Sequence, residues 1–326
     1  MLNKEILKKK LEQTITLPNG VLYSALTLTQ KGTGLSLFLF PDGIRATASV
    51  LGRASGTREI EITNAPEKLL NSVVFAGGSA MGLAAASGVA EYLREKGLGH
   101  KTTFARVPLV ASAVVYDLFY KGFHYPTEED GYNACLDLKK EIAEEGDIGA
   151  GCGTMCNKLS GEFIKSGVGF APIDDEYARG FAFCVNNAMG APDIESVERY
   201  LEMRRIHVKV KKKKLKTTAP KKRTNLNTIL SFILIDSDLP KETLLKIGKL
   251  AARAVPEFIS PAFTDRDGDV LFLATTATAK YSVPIIAPLA LTCQNALYEA
   301  LVRSLLFSKP TPIAGDIYEF LSEKNR

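Results

Sequence analysis

The feature that most constrains how this chain can fold is an alternation. Short runs rich in β-branched and aromatic residues are separated by longer stretches of helical periodicity. Strands are predicted over Leu35–Phe40, Val73–Phe75, Gly180–Val185, Ile229–Asp236 and Asp269–Thr275, and helices over Ser79–Lys96, Glu128–Glu145, Ile194–Arg205, Lys241–Val255 and Pro288–Leu306. Ser79 is placed to cap the first helix and Gly97 to end it. With 46% hydrophobic residues in 326, the chain can bury a sizeable core, and one large α/β domain spanning 1–326 accounts for the pattern.

Charge and cysteine content narrow the setting. The net charge of +5 conceals eleven Lys or Arg and no acid between Arg204 and Arg223, so the rest of the chain is acidic. That run lacks the interleaved aromatics that stack on bases, so it predicts a solvated basic linker over 204–227 and argues against nucleic acid as a partner. The opening MLNKEILKKKLEQ is too charged for a secretory segment, and no apolar run reaches the roughly 18 residues of a membrane span. The five cysteines, Cys135, Cys152, Cys156, Cys184 and Cys293, are an odd count without framework spacing. Together these predict a cytoplasmic protein with free thiols and no membrane association.

Few chemistries are open to such a chain. It has three histidines and no H-E-x-x-H, G-x-S-x-G, P-loop or dinucleotide fingerprint, and the lone Cys152/Cys156 pair is too small a ligand set for a structural metal. No metal and no cofactor are therefore expected. Gly149-Ala150-Gly151-Cys152-Gly153 could cradle a phosphate, but without a following Lys-Ser/Thr close backbone packing is the simpler reading. Asp265-Arg266-Asp267-Gly268-Asp269 reads either as a turn before a strand or as a carboxylate pair, Asp267 and Asp269, directed at one site. Thr228 joins the polar segment to the apolar strand beginning at Ile229, and a β-α-β run places that strand beside the one starting at Asp269. A chain broken before Thr228 would carry a nucleophilic hydroxyl and a basic α-amine on one residue. Residue chemistry alone leaves that possibility open.

Ordered motifs carry it further. Gly56-Thr57-Arg58-Glu59, Val74 to Leu83 (VFAGGSAMGL), Val107 to Leu118 (VPLVASAVVYDL), Gly149 to Gly153, Lys165 to Gly169 and Val185 to Gly190 (VNNAMG) occur in sequence. In these the chain resembles the self-processing N-terminal-nucleophile hydrolases of the DmpA aminopeptidase, β-peptidyl aminopeptidase and nylon-oligomer hydrolase family. The resemblance implies a four-layer αββα sandwich and cleavage between Asn227 and Thr228 into chains of 227 and 99 residues that stay associated. It also implies an aminopeptidase or amidase acting through an acyl-enzyme on Thr228, with Asp267 and Asp269 orienting its hydroxyl and amine. Tyr116 and Asn187 would supply oxyanion donors, and Lys158, rather than Lys165, an active-site lysine. Gly77, Gly78 and Ser79 would contact substrate, a short peptide or amide with a free amino end, and the assembly would be a homotetramer or larger. An acyltransferase of the ornithine acetyltransferase type and a non-catalytic, basic-tailed scaffold are the alternatives. The lysine-rich insertion before the cut, Cys152 and Ser166 depart from the family pattern.

Overall fold

The computed structural model describes residues 3–211, 227–279 and 286–323. Its principal strands are β1 (Leu22–Leu28), β2 (Thr33–Val50), β3 (Leu70–Ala76), β4 (Val110–Val114), β5 (Val168–Asp174), β6 (Arg179–Asn187), β7 (Thr228–Ser237) and β8 (Val270–Ala279). They run in the order β5-β6-β7-β8-β2-β3-β4, with Thr57–Arg58 on the β4 edge and β1 also paired to β2. The β2 strand belongs to both halves of this sheet. Its opening stretch pairs with β1 and β3, its closing stretch from Arg45 to Val50 with β8, and the register breaks between Leu39 and Ile44. The break contains Pro41-Asp42-Gly43, where proline withholds an N–H and Gly43 takes φ +76°.

Bent there, the sheet closes on itself as two layers. Side chains alternate along each strand, so Leu230, Phe232 and Leu234 of β7 face inward while Ile229, Ile233 and Ile235 face out. The inner core is aromatic. Phe38 of β2 lies 4.5 Å from Phe232 and 5.2 Å from Phe183, and Phe75 of β3 lies 5.9 Å from Phe272, ring to ring across the layers. Each such buried phenylalanine contributes about 1.5–3 kcal/mol. Helices α1 (Ala85–Glu95) and α2 (Glu128–Ala134) cover the outer face of β1–β4. Helices α3 (Ile194–Met203), α4 (Lys241–Ala251) and α5 (Ile286–Leu306) cover the outer face of β5–β8. This is the expected αββα sandwich. Among the described residues no helix is long and apolar enough to cross a membrane.

Local corrections have physical causes. The helix expected from Ser79 begins as a 3-10 turn over Ser79–Ala84, and Ser79 has φ +57° and caps nothing with its side chain. Its end is as expected: Gly97 has φ +67°, and Leu98 N–H donates to the Leu93 carbonyl at 2.9 Å. The helix expected over Glu128–Glu145 stops at Ala134, because Glu141–Ile142 is drawn into pairing with Ile15–Thr16. Residues 212–226, most of the predicted basic linker, lie outside the described ones; Val208–Val210 before them pairs with Leu321–Glu323.

Helices α1 and α2 touch through two glycines. A Cβ on Gly88 would lie 1.8 Å from the Glu128 carbonyl oxygen, and one on Gly131 would lie 1.9 Å from that of Ala85. Gly88→Ala must therefore push the two helix backbones apart, and it is expected to lower stability by about 1–3 kcal/mol, read as a lower midpoint in denaturant unfolding.

Candidate active site

The head of β7 is enclosed from both sides. Its antiparallel neighbour β6 places Asn187 opposite Thr228, and its parallel neighbour β8 pairs from Leu230/Val270 onward. The β7-α4-β8 crossover brings the Asp-Gly-Asp segment against Thr228, as the β-α-β reading anticipates. Thr228 is 5% exposed and Asn227 1%. Below the regular ladder a single bridge joins Asn227 to Asp267, and Gly268 N–H donates to the Asn227 carbonyl at 2.7 Å. Between ladder and bridge the Asp269 carboxyl replaces a main-chain acceptor, taking Ile229 N–H at 2.6 Å and Phe263 N–H at 3.2 Å. Asp267 takes Thr264 N–H at 2.8 Å. Both carboxyl groups are buried. Burial, and then the neighbouring Asp267 charge, push Asp269 up to about 7, against the pull of its two N–H donors.

On the β6 side Lys158 is 1% exposed, and its ammonium donates to the Asn187 main-chain oxygen at 2.9 Å and to Oδ1 at 2.8 Å. Burial brings its pKa down to about 7, and Cys156, Asp117 and Asp267 only partly offset this. Its Nζ also lies 5.0 Å from the centre of the Phe119 ring. The Asn187 amide is fixed at both ends. Oδ1 also accepts from Met155 N–H at 3.2 Å, and Nδ2 donates to the Tyr116 main-chain oxygen at 2.8 Å. Tyr116 thus meets Asn187 through its backbone, while its half-buried ring stacks on Phe119 at 6.2 Å.

Lys165 is placed elsewhere. It pairs with Asp147 at 2.7 Å and donates to the Gly151 carbonyl at 3.1 Å, beneath the glycine-rich stretch. That stretch is closely packed, since a Cβ on Gly151 would lie 2.5 Å from Val168 N and one on Gly153 2.3 Å from the Gly32 oxygen. Gly77, Gly78 and Ser79 form a turn held on the end of β4. Gly78 N–H donates to Asp117 Oδ1 at 2.7 Å and Ser79 N–H to the Val115 carbonyl at 2.9 Å. Asp117 was not anticipated from the sequence. It is buried, burial raises its pKa to about 6, and its charge acts on Lys158. Its one sequence signal is an acid directly after Tyr116 at the end of an apolar run. All five cysteines are buried and free.

A hydroxyl at a strand head, a buried lysine that can be neutral near pH 7, a fixed amide and paired carboxyls make a set suited to acyl transfer at a carbonyl. Comparison with known proteins agrees with that chemistry. The model of peptidase family S58 matches residues 15–316. An uncharacterized aminopeptidase of Mycobacterium leprae is 28% identical over 285 residues, covering 81% of this chain and 76% of its own. A 6-aminohexanoate-oligomer endohydrolase of Paenarthrobacter ureafaciens is 27% identical over 268 residues, covering 79% and 73%. In fold, the L-aminopeptidase D-Ala-esterase/amidase of Ochrobactrum anthropi superposes with a TM-score of 0.68 at 14% identity, over 95% of this chain and 92% of the other. A β-aminopeptidase of Burkholderia sp. gives 0.66 at 17% identity, over 92% and 88%.

Proposed function

Because the chain belongs to peptidase family S58 and is an aminopeptidase-type amide hydrolase of that family, we propose that it cuts itself before Thr228 and then uses Thr228 as its amino-terminal nucleophile. In the first stage the Thr228 hydroxyl oxygen bonds to the Asn227 carbonyl carbon, the C–N bond breaks, and the proton passes to the departing nitrogen. Water then hydrolyses the ester, leaving an Asn227 carboxylate and a free Thr228 amine. In the second stage the same hydroxyl attacks a substrate amide, releases its amine, and water clears the acyl group. Residues 1–227 and 228–326 form the two pieces of one domain.

The observation that carries this reading is the placing of Thr228 at the head of a buried central strand, with Asn187 and Lys158 on one flank and Asp267 and Asp269 on the other. Lys158 takes the proton of the Thr228 hydroxyl, Tyr116 and the Asn187 Nδ2 group serve the oxyanion formed on a substrate amide, and the two aspartates orient the hydroxyl and, once freed, the amine. Gly77, Gly78 and Ser79 line the approach of a short peptide or amide with a free amino end. Denaturing gels with terminal sequencing test the scheme. Bands of about 25 and 11 kDa are expected, the smaller beginning at Thr228; one uncut chain with its only terminus at Met1 would refute it.

The rate of splitting should depend on pH in a defined direction. Asp269 and Lys158 both lose their protons near 7 in the uncut chain, and the carboxylate and the neutral amine are the forms that accept a proton. Splitting is therefore expected to accelerate as pH rises through about 7. Time courses of freshly translated chain at pH 5.5 to 8.5 measure this, and a flat profile would contradict it.

A further inference from the structure

Resting on self-cleavage as proposed above, we infer that the main-chain N–H of Gly268 is the oxyanion donor of the maturation step. It donates at 2.7 Å to the oxygen of the very carbonyl that Thr228 would attack. Asn227 is 1% exposed, so bulk water does not reach that oxygen to take over the task. As the carbonyl becomes tetrahedral its oxygen gains negative charge, and a hydrogen bond already in place strengthens without reorganisation.

The peptide unit that carries this N–H is fixed at both ends. Its carbonyl, that of Asp267, accepts from Ala54 N–H at 2.9 Å, so the 267–268 dipole is aligned between Ala54 and Asn227. The neighbouring Asp269 carbonyl accepts from Leu51 N–H at 2.8 Å. The loop over residues 51–54 approaches so closely that a Cβ on Gly52 would lie 1.9 Å from the Asp267 oxygen. Position 268 must itself be glycine, since a Cβ there would lie 2.7 Å from Thr228 Oγ1 and 2.9 Å from the Ala54 oxygen. One residue thus lets nucleophile and donor share a single carbonyl. Asn187 Nδ2 is already bonded to the Tyr116 carbonyl and the Lys158 ammonium to Asn187. Gly268 is left as the group touching the scissile oxygen among the described hydrogen bonds.

The test removes the N–H and keeps the shape. Full-length chain is made by cell-free translation with glycolic acid in place of Gly268, so that an ester oxygen replaces the nitrogen. Its splitting is followed on gels beside the wild-type chain. A half-time at least about a hundredfold longer is expected, the usual consequence of losing one such donor. Equal half-times would overturn the inference while leaving self-cleavage intact, whereas a wild-type chain that never splits would instead refute the proposed function. Should the ester chain lack wild-type protease resistance, Thr228→Ala precursor labelled with ¹⁵N at Gly268 and ¹³C at the Asn227 carbonyl decides the matter. A scalar coupling across the hydrogen bond is expected, and its absence overturns the inference.

Discussion

Thr228→Ala is expected to yield a folded, uncut chain whose amide hydrolysis falls by at least about 10⁴-fold, the scale seen when a covalent nucleophile is deleted. Both losses have one origin. The proposed maturation and the proposed turnover each begin with the same oxygen attacking a carbonyl carbon, so no variant at this position should separate them. The fold should survive, because β7 keeps its pairing with β6 and β8 and its six apolar residues from Ile229 to Ile235 remain buried. Thr228→Ser retains a hydroxyl and is expected to restore both splitting and hydrolysis. Gels, a melting curve and turnover of a short peptide amide read these outcomes together. A Thr228→Ala chain that still splits, or that hydrolyses at the native rate, would end the assignment.

Lys158→Met carries the second large effect. Methionine keeps the length of the side chain and removes the cation that holds both oxygens of Asn187. Splitting and hydrolysis should each slow by about a hundredfold or more, the lower range for losing a group that moves or stabilises a proton. Stability should respond differently. In the folded chain Lys158 releases its proton near 7, whereas in the unfolded chain it stays charged to about 10.4. Between those values the unfolded state binds more protons, so the contribution of Lys158 makes stability rise with pH across that window and level off below it. In an uncut Thr228→Ala background, Lys158→Met should remove this rise. A purely structural lysine would instead show lost stability with an unchanged rate of splitting in the single variant.

The sequence disclosed most where one physical preference acted alone. The run from Ile229 to Asp236 is rich in apolar and β-branched residues and forms the centre of β7; the α4 stretch after it obliges the next strand to lie alongside, which is why Asp267 and Asp269 are legible as neighbours of Thr228. It disclosed least where tertiary pairing overruled a local signal. The strand expected over Leu35–Phe40 runs on through Pro41-Asp42-Gly43 as a bend, because both halves of β2 find partners. The Glu128 helix reads as eighteen residues, yet its second half is taken into contacts with the amino-terminal segment. Ser79 reads as a cap, but the approach of Val115 holds it in a left-handed conformation that its type does not advertise. Asp117 was silent for another reason. Its role in the site comes from burial and from charge acting across space on Lys158, and neither leaves a spacing pattern in the chain.

The strand order has a consequence for how such a molecule can be made. β7 and β8 lie between β6 and β2, so a large piece synthesised alone would present two raw rows of unpaired amides and carbonyls, one on each side of a gap two strands wide. Exposed borders of that kind recruit foreign strands and seed aggregates. Translation as one continuous polypeptide fills the gap before it can form, and the scission proposed above would leave the seams already closed.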